Sequence, residues 1–289
     1  MDVDLEALRR RLPPRPLTRF APSPTGYLHL GHVVNALYVW RVARSLDGRV
    51  LLRIEDHDRL RSRPEFERAL LEDLAWLGFH PDEGPVRQSD EPWAYEDAFG
   101  RLVESHHVYA CDCSRRQIAA SINARTRSDE VPYSGRCRTR GLTIERGRGI
   151  RVQLPPSAEC FEDARLGRLE QTPVSQCGDL LIRDRDGFWT YQFAVTVDDL
   201  RQQVDLVIRG EDLLSSTGRQ LQLARMLGRT NPPVFLHHPL LRRPDGIKLS
   251  KSSGDTGVRE LREAGFSPGD VIERASALLD GRPEASSRR

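Results

Sequence analysis

The stretch Arg19-Phe20-Ala21-Pro22-Ser23-Pro24-Thr25-Gly26-Tyr27-Leu28-His29-Leu30-Gly31-His32 decides the fold. Leu17 to Ala21 reads as a short strand, ended by the breaker cluster Pro22 to Gly26. From His32 to Leu46 apolar helix formers follow, with Val33, Val34, Leu37, Tyr38 and Val42 marking a broad buried side. A strand that turns directly into a helix brings the free backbone N–H groups of the helix N-terminus to the carboxyl end of the strand, where they attract phosphate. Gly31 permits close backbone approach, and His29 and His32 flank it as hydrogen-bond donors to a polyphosphate. Read alone, the same segment is more readily a helix cap with incidental histidines.

Outward from this stretch, strands and helices alternate. Arg49 to Ile54 reads as a strand, and Pro64 to Leu77 as an amphipathic helix with Pro near its start and Gly78 after its end. Trp93 to Glu104 is helical and Val108 to Cys111 extended. From about Cys113 to Leu180 the chain is rich in Arg and Gly with little periodicity, as in an inserted unit. Parallel-type order is expected to resume with strands at Asp179–Arg183, Asp205–Arg209 and Val234–His238 and a helix at Ser216–Leu227. Short helices follow at about Val258–Ala264 and Pro268–Leu279, and Gly281–Arg289 reads as a disordered tail. The fold class is therefore α/β, a doubly wound, Rossmann-like parallel sheet with ligands at the carboxyl ends of its strands.

Composition excludes several classes. The 289 residues can bury a substantial core, and no apolar run is long enough to span a membrane. Met1 to Pro16 alternates acids, arginines and prolines without an apolar h-region, unlike a signal peptide. Five cysteines without a secretory signal argue against a disulfide framework, so a reduced, cytoplasmic protein is expected. A net charge of +2 neither demands nor excludes nucleic acid. Of the 44 basic residues, all are arginine except Lys248 and Lys251. Both lysines fall in Lys248-Leu249-Ser250-Lys251-Ser252, which points to a site that needs a compact cation where a planar guanidinium will not serve.

Cys111-x-Cys113 followed by Tyr133 and Cys137 is a further constellation. Three thiolates and one more donor satisfy tetrahedral zinc, although the spacing is not the usual Cys-x2-Cys, and buried reduced cysteines are the alternative. Cys160 and Cys177 have no such neighbours.

The opening stretch resembles the first motif of class I glutamyl- and glutaminyl-tRNA synthetases, and Lys248 to Ser252 resembles their second ATP motif. Arg53-Ile54-Glu55-Asp56 and Val207-Ile208-Arg209-Gly210-Glu211-Asp212 match in kind and order, so the resemblance runs from about Pro16 to Gly265. Leu30 and Leu249 stand where the family usually carries other aliphatic residues. The resemblance implies attack of a carboxylate on the α-phosphorus of ATP, giving an aminoacyl adenylate and pyrophosphate. His29, Gly31 and His32 would hold the phosphates, Lys251 would close over them with Lys248 assisting, and Mg2+ would accompany ATP.

The resemblance also places Arg19, Ser23, Glu55, Tyr191 and Arg209 in a glutamate pocket. Glu55 can pair the ammonium; Arg209 can fork onto the side-chain carboxylate, with Tyr191 as a further hydrogen bond and Arg19 and Ser23 completing the wall. An arginine facing an uncharged amide would have no purpose, which favours glutamate over glutamine. In isolation, Glu55 reads as a surface charge and Arg209 as the partner of Asp205 or Glu211. Short paralogues of the family carry a Cys-x-Cys, Tyr-x3-Cys zinc site in this place, which implies a structural Zn2+ on Cys111, Cys113, Tyr133 and Cys137.

The resemblance implies an organisation of four parts. Residues 1–112 are the first half of the nucleotide-binding catalytic domain, 113–178 an inserted zinc- and tRNA-contacting subdomain, and 179–240 the second half. Residues 241–289 hold the lysine loop, a short helical region and the tail. Little chain follows Ser252, so no anticodon-binding region is expected, and the chain resembles the stand-alone glutamyl-Q tRNA(Asp) synthetases. That implies tRNA-independent activation of glutamate and its transfer to queuosine in the anticodon loop of tRNA(Asp), by a monomer without membrane contact. Arg136, Arg138, Arg140, Arg146 and Arg148 then offer a phosphate-contacting surface, or a solvated charged loop. A truncated glutamyl-tRNA synthetase charging a tRNA 3′ end and a non-catalytic tRNA-binding paralogue remain as alternatives.

Overall fold

A computed structural model describes residues 3–105, 107–120, 131–240 and 257–279. The first elements in chain order are α1 (Leu5–Arg11), β1 (Leu17–Phe20), α2 (Leu30–Ser45), β2 (Arg49–Ile54), α3 (Pro64–Trp76), β3 (Glu83–Arg87), α4 (Pro92–Glu104) and β4 (Val108–Cys111). Next come α5 (Arg115–Ala120), β5 (Gly149–Val152), β6 (Glu159–Asp163), β7 (Gly167–Gln171), α6 (Pro173–Cys177), β8 (Leu180–Arg183) and α7 (Tyr191–Arg201). The last are β9 (Leu206–Gly210), α8 (Thr217–Met226), β10 (Val234–His238), α9 (Val258–Glu263) and α10 (Pro268–Leu279).

The central sheet is 7-stranded in the order β3-β2-β1-β9-β10-β6-β7. Its neighbours pair in parallel except in the β6–β7 hairpin. From β1 the chain winds outward to β2 and β3, and later fills the other side with β9 and β10. The direction of winding therefore reverses between β1 and β9, and the crevice at their carboxyl ends is where such sheets take ligands. Val50, Leu52, Ile54, Leu206, Val207 and Ile208 are all buried, as expected of strands covered on both faces. Helix α2 is buried on nearly every side, from Val33 to Ala43, because it lies against the sheet and is packed by α10. Among the described residues no helix is long and apolar enough to cross a membrane.

The structure corrects one strand. Asp179–Arg183 was expected to continue the parallel order, but β8 pairs antiparallel with β5 in a separate sheet of order β4-β5-β8. The reason lies in its pattern: Leu180 and Ile182 are buried while Leu181 and Arg183 are half-buried, the alternation of a strand with one covered face. Within the Arg- and Gly-rich segment, the β6–β7 hairpin extends the central sheet through Phe235 opposite Asp163. Helix α2 also begins earlier than expected, at Leu30, because His29 caps it. Residues 281–289 lie outside the described residues.

Candidate active site

The carboxyl ends of β1, β2 and β9 bring three arginines inside the protein: Arg19, Arg53 and Arg209 are each at most 4% exposed. Buried guanidiniums need partners, since an unpaired internal charge costs several kcal/mol. Helix α7 supplies two. Asp199 accepts from Arg19 Nε at 3.1 Å and from Arg53 Nη1 at 2.8 Å. Burial alone would raise the Asp199 carboxyl, but the two arginines hold it at about 2. Asp198 accepts from Gln88 Nε2 at 2.7 Å, Tyr95 Oη at 3.0 Å and Arg201 Nε at 2.8 Å. Burial opposes the charge on Arg53, yet Asp199, Asp198 and Glu55 together raise its pKa above the usual arginine range.

Glu55 follows β2 and is buried. Its Oε1 accepts from Arg53 Nη2 at 3.1 Å, while Oε2 accepts no hydrogen bond among the described residues. Burial raises its pKa against the pull of Arg53, Arg19 and His57. Ser23, half-buried, sits in the turn after β1, which is tied to β2 by the Glu55 N–H to Pro22 carbonyl bond of 3.0 Å.

Arg209 is held differently. Its Nε donates to His237 Nε2 at 3.0 Å, Nη1 to Gln220 Oε1 at 2.7 Å and Nη2 to Thr217 Oγ1 at 2.9 Å. Among the described residues all three side-chain acceptors are neutral, so no carboxylate pairs it directly. The alternative reading of Arg209, an ion pair with Asp205 or Glu211, is not seen among the described residues: Asp205 accepts from the Leu17 N–H at 2.8 Å and Glu211 pairs with Arg165. Burial lowers the Arg209 pKa, with Arg19 adding like-charge repulsion against the pull of Tyr191 and Asp199. Tyr191 opens α7; burial raises its hydroxyl pKa, with Arg209 opposing and Glu55 reinforcing. Arg19, Glu55, Tyr191 and Arg209 thus lie within electrostatic reach of one another.

At the N-terminus of α2, His29 and His32 form a reciprocal cap. Gly31 N–H donates to His29 Nδ1 at 3.1 Å and His29 N–H to His32 Nδ1 at 3.1 Å, with ring centroids 3.9 Å apart. Gly31 also makes room for this cap, because a Cβ there would lie 2.8 Å from the His29 ring, which would have to shift. Lys248 and Lys251 lie outside the described residues. The chain before them leaves β10 at His238, whose ring stacks on Tyr38 at 4.8 Å. After them it returns at Gly257, which bridges His29, while the Val258 N–H donates to the Leu28 carbonyl at 2.9 Å.

Cys111, Cys113 and Cys137 place their sulfurs within 4.8 Å of one another. Tyr133 Oη is 3.4 Å from Cys111 Sγ and 3.8 Å from Cys113 Sγ, and Cys113 and Cys137 Sγ are 3.5 Å apart. Zinc with Zn–S bonds of about 2.3 Å would space tetrahedral sulfurs by roughly 3.8 Å, so the donor set fits that ion. Arg151 Nε lies 3.4 Å from Cys111 Sγ and its guanidinium 3.8 Å from the Tyr133 ring centroid, giving the cluster a compensating charge. Gly178, at φ 67°, lets Tyr133 approach: a Cβ there would be 2.0 Å from the Tyr133 carbonyl oxygen.

The expected arginine surface is reduced. Arg138 is forked onto Asp179 at 2.7 and 3.1 Å, Arg140 pairs with Asp112 at 2.6 Å and Arg148 with Glu145 at 3.1 Å. Arg136 and Arg146 stay exposed without an ion pair among the described residues. Sequence reasoning placed Arg53 in a motif without a role for it, and missed Asp198, Asp199, Thr217, Gln220 and His237. The adjacent acids Asp198-Asp199 inside the apolar run Phe193–Leu200 were the one available signal.

Comparison with known proteins gives the following. The model of the tRNA synthetases class I (E and Q), catalytic domain, matches residues 17–278. The glutamyl-Q tRNA(Asp) synthetase of Cupriavidus metallidurans is 44% identical over 240 residues, covering 82% of this chain and 77% of the relative. That of Symbiobacterium thermophilum is 41% identical over 279 residues, 90% of this chain and 85% of the relative. Glutamate–tRNA ligase 1 of Acidithiobacillus ferrooxidans is 42% identical over 258 residues, 88% of this chain and 55% of the ligase. The crystal structure of a glutamate tRNA ligase from Elizabethkingia meningosepticum in complex with its amino acid superposes with a TM-score of 0.71 at 30% identity. That alignment covers 87% of this chain and 53% of the solved one. The chain therefore spans about half the length of the glutamate–tRNA ligases it matches.

Proposed function

Since the chain belongs to the family of class I tRNA synthetases for E and Q, we propose that it activates glutamate as an adenylate with ATP, without tRNA, and passes the glutamyl group to queuosine in the anticodon of tRNA(Asp). The observation that carries the first half is the unneutralised charge of buried Arg209 beside Tyr191, Arg19 and Glu55. A glutamate side-chain carboxylate would supply the missing counter-charge on the Arg209 N–H groups its three acceptors leave over, with Tyr191 as a further hydrogen bond. Glu55 Oε2 would take the ammonium, and Arg19 and Ser23 would line the remaining wall. His29, Gly31 and His32 would hold the phosphates of ATP, which would carry Mg2+ with water, and Lys251 and Lys248 would close the site. The bridge between Gly257 and His29 supports that role, since it ties one end of the lysine segment to the histidine motif.

Titration of the protein with glutamate, glutamine and aspartate in the presence of a non-reacting ATP analogue tests the pocket. Glutamate should bind, and the neutral amide roughly a hundredfold more weakly, as for a site left with an unpaired buried charge. Equal binding of glutamine would contradict the assignment to Arg209.

Cys111, Cys113, Tyr133 and Cys137 would hold a structural zinc. Four protein ligands leave no open position, so the ion would pin the segment between β4 and β5 and take no part in the chemistry. One zinc per chain should be found by elemental analysis, and Cys113→Ser should lower that occupancy and increase proteolysis near Tyr133. A metal-free, fully protected protein after purification without chelators would favour reduced cysteines instead.

The acceptor half rests on the relatives. The chain covers 77% and 85% of two glutamyl-Q tRNA(Asp) synthetases but 55% of a glutamate–tRNA ligase of similar identity. Among the described residues, exposed Arg136 and Arg146 would be available to tRNA phosphates.

A further inference from the structure

Behind Arg209 lies a fully buried pair that the activation chemistry does not itself require. Asp163, at the end of β6, is 2% exposed and His237, in β10, is 0% exposed. Asp163 Oδ2 accepts from the His237 backbone N–H at 3.0 Å and from its ring Nδ1 at 2.7 Å. Asp163 Oδ1 accepts from the Arg165 and Leu166 N–H groups at 3.0 and 2.9 Å. Burial would raise this carboxyl, but the His237 ring and the two backbone donors hold it below its usual range. An ionised carboxylate can only accept, so the proton of the His237 ring is on Nδ1 and the lone pair on Nε2. That lone pair meets Arg209 Nε at 3.0 Å, and an arginine can only donate. Burial and the Arg209 charge lower the His237 pKa, in keeping with a neutral ring.

We infer that Asp163 and His237 form a positioning pair that orients the Arg209 guanidinium towards a side-chain carboxylate and so sets the choice of an acidic amino acid. The inference rests on the proposed role of Arg209 as the carboxylate ligand. The chemical logic is one of distance. A carboxylate placed directly on Arg209 would neutralise it and remove its attraction for an acidic ligand. An imidazole between the two passes on the orientation and makes Nε2 a better acceptor, while leaving the guanidinium charge unmatched. Thr217 and Gln220 fix the other two nitrogens with neutral acceptors in the same manner, and the Phe235 ring lies 5.3 Å from the guanidinium carbon.

Two measurements test the pair. In glutamate-dependent pyrophosphate exchange, Asp163→Asn and His237→Asn should raise KM for glutamate about tenfold or more, the effect of losing an outer-shell partner. KM for ATP should stay within about twofold, since the uniform loss expected of a merely loosened fold would raise both. Independently, nitrogen NMR of the substrate-free parent should show His237 protonated at Nδ1 and bare at Nε2. Parallel rises in both KM values, an unchanged KM for glutamate in a folded Asp163→Asn, or a proton on Nε2 would overturn the inference. Absence of glutamate-dependent exchange in the parent would sink the functional reading on which the pair rests, and the tautomer, read without substrate, separates the two failures.

Discussion

Labelled glutamate is expected to enter tRNA(Asp) that carries queuosine and to leave tRNA(Asp) with unmodified guanosine unlabelled. The difference should be all or nothing, because the proposed acceptor is a hydroxyl of the cyclopentenediol of queuosine, a group that guanosine lacks. The two preparations offer the same phosphates and the same loop, so electrostatic binding alone would not separate them. The product would be an ester, hence labile to mild alkali, and nuclease mapping should place the label in the anticodon loop. Equal labelling of both preparations, or label on the terminal adenosine, would overturn the acceptor assignment and leave glutamate activation standing.

Lys251→Arg is expected to lower glutamate activation by roughly a hundredfold, comparable to removing one preorganised donor from a developing charge. Charge is conserved in this substitution, so the effect isolates shape. The ammonium is a compact point charge with three rotatable donors, whereas the guanidinium is a planar fork on a shorter reach of freedom. A chain that otherwise uses arginine for every basic position keeps lysine at Lys248 and Lys251 alone. Glutamate binding should be unaffected, since the proposed pocket residues Arg19, Glu55 and Arg209 sit in or directly after β1, β2 and β9, away from the lysine segment in sequence. Near-normal turnover in Lys251→Arg would contradict the need for a compact cation.

Legibility of the fold followed the periodicity of each element. The passage from β1 through Pro22–Gly26 into α2 was readable because a breaker cluster separates an apolar run from a longer helical one. Helix α7 was not. Phe193 to Asp199 are all buried, so the helix has no polar face to give a period, and its Val and Thr residues read locally as strand. With α7 went Asp198 and Asp199, the acids that neutralise Arg19 and Arg53. The β6–β7 hairpin was hidden for a related reason: Gly167 and the charged residues Glu162, Arg168 and Glu170 at its exposed positions match the surrounding Arg- and Gly-rich segment.

The site was legible where a short motif carries the chemistry and obscure where partners are distant in sequence. Glu55 and Arg209 could be named from their motifs, but the preference for isolated ion pairs would have given Arg209 the wrong partners. Its acceptors, Thr217, Gln220 and His237, come from the following helix and strand, and nothing in the local sequence of β9 announces them. The arginines at 138 and 140 were read as free because Asp179 and Asp112 lie far along the chain.

The central claim is that this chain activates glutamate by itself. Glutamate-dependent exchange of labelled pyrophosphate into ATP, run with and without tRNA, measures it most directly. Exchange that needs glutamate, is not supported by glutamine or aspartate, and is the same without tRNA is the predicted result. Exchange that begins only when tRNA is added would contradict it.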